Sequence, residues 1–151
     1  MLQQRFAALT TAHLADACIR AQVPVRCASA LLRAVVPGSR LAGRVCPARH
    51  AGSVDAFLEA FETAAPGDVL VVDNGGLLDE ACVGDLVALE AHAAGMEGMV
   101  IWGLHRDTAT PLTFGRSGCR SSAWERSPRA PSGSTPARPV RWSPPSSETV
   151  Q

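Results

Sequence analysis

The stretch Gly84-Asp-Leu-Val-Ala-Leu-Glu-Ala-His-Ala-Ala-Gly-Met-Glu-Gly-Met-Val-Ile-Trp-Gly-Leu-His-Arg-Asp107 decides the fold. Residues 85–94 read as a helix that Gly95 closes from the C′ position. Residues 98–103, GMVIWG, read as a buried strand. A helix rises about 1.5 Å per residue and a strand about 3.3 Å, so both elements are roughly 15–20 Å long. A strand packing back along the helix therefore returns to the helix N-terminus. That geometry predicts Arg106 and Asp107 beside Asp85 and the amides of residues 85–87. Helix N-terminal amides bind anions. An arginine binds a carboxylate or keto oxygen, and aspartates bind hard divalent cations. The set suits a metal-bound small substrate that carries a carboxylate.

Upstream, Val69-Leu-Val-Val72 reads as a buried strand after a Pro66-Gly67-Asp68 turn, and Asp73-Asn-Gly-Gly76 as a loop at its C-terminal end. Residues 53–64 form an amphipathic pattern with Ser53 as N-cap. Residues 39–46 alternate as a strand, and residues 3–22 read as helix with a break near Thr10-Thr11. The order α, β, α, β, α, β argues an α/β architecture.

VLVVDNGG (69–76) followed by ACVGDLVALEAHAAGMEGMVIWGLHRD (81–107) resembles the RraA-like proteins. That family includes 4-hydroxy-4-methyl-2-oxoglutarate aldolases and regulators of ribonuclease E activity. The aldolases are associated with a D-x20-R-D motif, which Asp85…Arg106-Asp107 matches. The likeness extends through LTTAHLADA (9–17), PGSRLAGRV (37–45) and APGDVLVVD (65–73), and covers roughly residues 5–114. It implies a swivelling β/β/α domain, here incomplete at its C-terminus, in trimers or dimers of trimers.

The resemblance further implies a class II-type aldolase that cleaves 4-hydroxy-4-methyl-2-oxoglutarate or a related 4-hydroxy-2-oxo acid to pyruvate. Oxaloacetate decarboxylation is the implied side activity, because both reactions pass through pyruvate enolate. Asp107 would hold Mg²⁺ or Mn²⁺, and the metal would stabilise the enolate. Arg106 would bind the substrate oxygens, and the amides of Gly84, Asp85, Leu86 and Val87 its carboxylate. Asp85 would act through a metal-bound water. A later acidic residue, which completes the family's site from a neighbouring subunit, has no counterpart here. Trp102 departs from the Asp that many relatives carry before the glycine. The alternatives are a non-enzymatic protein that binds and inhibits an endoribonuclease, or an inactive truncated relative.

At 151 residues and 46% hydrophobic content, one domain with a core is expected. The formal net charge is zero, so nothing global points to nucleic acid or a membrane surface. Five cysteines without a CxxC pair read as reduced thiols, and MLQQRFAALT lacks a signal-peptide h-region. A cytoplasmic protein is expected. No HxxxH or HExxH occurs among His13, His50, His92 and His105, so a histidine zinc site is not expected. His105, next to the motif, is a candidate proton carrier. The 73–76 loop lacks GxGxxG and GxxxxGK[ST], which argues against nucleotide binding.

Residues 1–114 form the expected domain, and the composition changes at about Phe114. Residues 115–151 hold nine Ser, six Pro and six Arg but no Leu, Ile, Met or Phe, which reads as a disordered tail. Reverse-translated and read one base out of register, residues 117–137 can spell GLPVFSLGALPAGPQRLDPR. That string resembles what RraA-like proteins carry after their Arg-Asp pair, which points to a frameshift near codons 108–117.

Overall fold

The computed structural model describes residues 2–30, 32–107 and the backbone of 120–123. The sequence opens with two helices, α1 (Leu2–Phe6) and α2 (Thr11–Arg20). The break between them is a capping box: Thr10 Oγ1 accepts from the His13 amide, and the His13 ring accepts from the Thr10 amide. Arg40 ties this turn down by donating to the carbonyls of Ala7 and Leu9. Neither helix buries a residue.

The remaining elements are β1 (Arg33–Ala34), β2 (Val45–Arg49), α3 (Asp55–Thr63), β3 (Val69–Asp73), β4 (Ala81–Val83), α4 (Asp85–Ala93), β5 (Gly98–Trp102), β6 (Leu104–His105) and β7 (Arg120–Ala123). Five strands form one sheet in the order β1-β7-β5-β3-β2. Only the β1–β7 pair is antiparallel. β4 and β6 form a separate parallel pair. The α/β class expected from the sequence is what the chain adopts.

The core lies where α3 and α4 meet the sheet. Leu70, Val72, Met99 and Ile101 from the central strands are fully buried, with Phe57 of α3 and Ala88 and Ala91 of α4. Near-continuous burial of β3 and β5 is the pattern of parallel strands covered on both faces.

Two local expectations shift. The strand expected over 39–46 lies at Val45–Arg49 and includes Pro47. A proline argues against a strand interior, but β2 is the sheet edge, where a missing N–H need not cost a ladder bond. The N-cap of α3 is Val54, not Ser53. Ser53 still accepts from the Asp55 amide at 3.2 Å, one position further out. The strands β1, β4 and β6 have two or three residues each, too few for a periodic signal.

Candidate functional site

The α4 helix begins at Gly84 with no side-chain cap. β4 delivers the chain to this point, and its partner β6 delivers Arg106 and Asp107. The Arg106 amide donates to the Val83 carbonyl at 2.9 Å, which fixes the two segments side by side. A Cβ built on Gly84 would lie 3.0 Å from Arg106 Nε and 3.2 Å from Asp107 Oδ2. The absent side chain is thus the space that the guanidinium and the carboxylate occupy.

Asp107 has a left-handed backbone, φ +64°, which Asp tolerates better than most residues. Its Oδ2 lies 3.4 Å from Arg106 Nε, and the two side chains are 44% and 72% exposed. An ion pair this open contributes about 0–1 kcal/mol, so either partner can exchange it for a ligand. Asp85 is the first residue of α4, and its Oδ1 accepts from the Leu86 amide at 2.8 Å. Leu86 is exposed, while Val87 packs partly against the core. The helix ladder begins with the Ala88 amide bonding the Gly84 carbonyl at 3.2 Å, so the amides before it project past the helix end.

Among the described residues, no three His, Cys, Asp or Glu side chains gather to hold a metal. The donor set here is smaller: the Asp107 carboxylate beside Gly84, and the Asp85 carboxylate on the first residue of α4. It fits a Mg²⁺-type ion, which one or two carboxylates hold while water and substrate oxygens supply the rest.

A second polar group lies at the same edge of the main sheet. β2 and β3 end in register at Arg49 and Asp73, so His50 and Asn74 emerge together. His50 Nδ1 lies 2.7 Å from Asn74 Oδ1 and 3.6 Å from Glu80 Oε1. The His50 ring stacks on Phe57 with centroids 5.7 Å apart. Asn74 is 2% exposed, and its Nδ2 has no hydrogen-bond partner. Stranding such a donor costs about 1–3 kcal/mol. A Cβ on Gly103 would meet Asn74 Cβ at 2.8 Å, so only glycine admits the side chain. No sequence motif marks His50 or Glu80. The signal for His50 is position, since it and Asn74 each follow a parallel strand at its C-terminal edge, where open α/β sheets bind ligands. Glu80, just before β4, carries no such signal.

Trp102 lies half-buried rather than in the core, against Gly76. His105 lies in β6, paired with Val83. No helix among the described residues is long and apolar enough to cross a membrane.

A family described as RraA-like (Aldolase/RraA) matches residues 11–133. A Pseudomonas fluorescens protein named, by inference, a 4-hydroxy-4-methyl-2-oxoglutarate aldolase is 49% identical over 49 residues, 32% of this chain and 30% of its own length. The chain thus matches under a third of that relative. The solved structure of the RNA-processing inhibitor RraA from Thermus thermophilis aligns with a TM-score of 0.63 at 26% identity, over 76% of this chain and 66% of its own. A Geobacillus kaustophilus structure titled S-adenosylmethionine: 2-dimethylmenaquinone methyltransferase aligns at 0.59 and 29% identity, over 73% and 66% of the two chains.

Proposed function

The chain belongs to the RraA-like family, and on that footing we propose that it is a divalent-metal-dependent aldolase. Its substrate would be 4-hydroxy-4-methyl-2-oxoglutarate or a related 4-hydroxy-2-oxo acid, with oxaloacetate decarboxylation as a side activity. The observation that carries this reading is the meeting of Arg106 and Asp107 over Gly84 at the start of α4. The name of the Pseudomonas relative supports it.

Asp107 would hold a Mg²⁺ or Mn²⁺ ion, which would supply Lewis-acid polarisation of the 2-oxo group. The Asp85 and Val87 amides at the start of α4 receive the substrate carboxylate, and the Leu86 amide joins them only by giving up Asp85 Oδ1. Arg106 faces the 2-oxo oxygen, where negative charge develops as the C3–C4 bond breaks. The 4-hydroxyl proton leaves through a water to Asp85, whose Oδ2 remains available beyond its bond to the Leu86 amide. The proton taken up through that water is returned to C3, so one product is pyruvate and the other carries the new carbonyl at the former C4.

A second reading has one observation behind it. The likeness to the RNA-processing inhibitor runs over 76% of this chain, far more than the 49 residues shared with the aldolase. A binding protein that inhibits an endoribonuclease would need no turnover. The methyltransferase reading has weaker support, since no glycine-rich nucleotide loop follows a strand in this sequence.

The test is pyruvate release from 4-hydroxy-4-methyl-2-oxoglutarate, with and without added Mg²⁺, measured by coupled NADH oxidation. Metal-dependent release that disappears in Arg106→Ala supports the aldolase. Silence toward this substrate and oxaloacetate, with tight inhibition of an endoribonuclease, would establish the binding protein instead.

A further inference from the structure

The loop 74–80 joins β3 to β4, and β4 runs directly into Gly84. Its two feet are Asn74, the first residue after β3, and Glu80, the last before β4. A single imidazole faces both: His50 Nδ1 stands 2.7 Å from Asn74 Oδ1 and 3.6 Å from Glu80 Oε1. Both groups are acceptors, so Nδ1 carries the proton and donates to Asn74. Stacking on Phe57, itself 1% exposed, fixes the ring plane. His50 is anchored in turn by its own amide, which donates to the Asp73 carbonyl at 2.9 Å.

We infer that His50 is a positioning residue for the site at the start of α4, acting through the two feet of the 74–80 loop. The other bonds of the loop lie at its β3 end: the Gly75 amide donates to Asp73 Oδ1 at 2.9 Å and the Leu77 amide to the Asn74 carbonyl at 3.2 Å. The Asn74 and Gly76 amides share one acceptor, the Trp102 carbonyl, at 3.1 and 3.2 Å. Gly75 and Gly76 both have positive φ, so the loop apex has little intrinsic preference for one path. β4 has three residues and pairs with a two-residue β6 through an irregular register. With so short a ladder beside the Arg106 amide's bond to the Val83 carbonyl, the placement of Gly84 depends also on the loop that leads into β4. The buried Asn74 weighs against a stabilising role for the cluster, because its Nδ2 has no partner while its Oδ1 meets His50.

The test compares wild type with His50→Leu and His50→Asn in the full chain by amide hydrogen exchange. Leu removes the donor, and Asn places an amide N–H where Nδ1 stood. Exchange in 74–86 and 104–107 should accelerate about tenfold in the Leu variant, the size of one net hydrogen bond. Strands 69–72 and 98–102 should stay unchanged, and the Asn variant should recover protection. An unchanged pattern, an acceleration spread evenly through the core strands, or an Asn variant as fast as the Leu variant would each overturn the inference. The kinetic readout rests on the aldolase reading: KM for the 2-oxo acid should rise in the Leu variant with kcat little changed. A wild-type protein without turnover would defeat that reading while leaving the exchange result to stand.

Discussion

The two ends of β3 are built in opposite ways. At the N-terminal end, the buried Asp68 carboxylate accepts from Arg44 Nε and Nη2 at 3.2 and 3.1 Å and from the Ala65 amide at 3.0 Å. Its backbone carbonyl accepts from the Glu97 amide at 2.8 Å, and the Gly67 amide bonds the Gly95 carbonyl at 2.9 Å. The Asp68 carboxylate and carbonyl are both bonded there, and the turns before β3 and β5 are locked together. At the C-terminal end, Asn74 keeps an unpaired donor, and Arg106 and Asp107 stand open to water. One end has its buried carboxylate bonded, and the other keeps an unpaired buried donor beside exposed charges. Functional sites are where local consistency is expected to fail.

The sharpest way to break this comparison is Arg106→Ala. Removing a donor aimed at developing charge lowers turnover by about 10²–10³-fold. The melting temperature should hold, because the exposed pair with Asp107 contributes about 0–1 kcal/mol. Steady-state kinetics and thermal unfolding of one preparation check both halves. A large fall in melting temperature would make Arg106 a structural residue.

Two glycine substitutions sharpen the contrast between the ends. A Cβ at Gly43 would lie 2.4 Å from the Gly67 carbonyl oxygen and 2.9 Å from Val69 Cγ2, so backbone has to move. Gly43→Ala should cost about 1–3 kcal/mol of stability. A Cβ at Gly84 meets only the side chains of Arg106 and Asp107, which can swing outward. Gly84→Ala should melt like wild type but lose about 10²-fold in turnover through misplacement of Arg106. Equal stability losses at the two positions would erase the distinction.

The satisfied end also predicts an acid response. The Arg44 guanidinium and the Ala65 amide hold the Asp68 carboxyl below the usual carboxylate range. A carboxylate with a depressed native pKa contributes stability above its unfolded pKa, near 4, and loses it as pH falls through the native value. The melting-temperature gap between wild type and Asp68→Asn should be open at pH 7 and narrow at pH 3. A gap of constant width would remove Asp68 from the acid response.

The parts legible in the sequence were those with a period or a fixed spacing. Residues 85–107 announce a helix and strand of matched length, and from that alone Arg106 and Asp107 could be expected near Asp85. The cluster of His50, Asn74 and Glu80 follows from strand register instead, since Arg49 pairs with Asp73 only once β2 and β3 lie parallel. No spacing rule connects residues 24 apart on neighbouring strands. The displacement of β2 has a similar origin: Pro47 is acceptable only at a sheet edge, and edge position belongs to the assembled sheet.

The smallest effect concerns the floor beneath the open end. Cys82 lies on β4, two residues before Gly84, and donates from Sγ to the Leu104 carbonyl at 3.5 Å. Burial pushes its thiol up to about 11. A raised thiol pKa favours the native state while the group stays protonated. Its contribution is complete below the unfolded value, near 9, and is lost as pH rises toward 11. At pH 8 Cys82 should therefore resist iodoacetamide while the exposed Cys27 is alkylated, as peptide mass mapping would read out. Protection of Cys82 would mean that the ladder carrying Arg106 rests on a dry floor even though its charged groups face water. Labelling of Cys82 as fast as Cys27 would mean that β4 and β6 separate readily. The open end of β3 would then be loose throughout, not a rigid ledge with exposed chemistry.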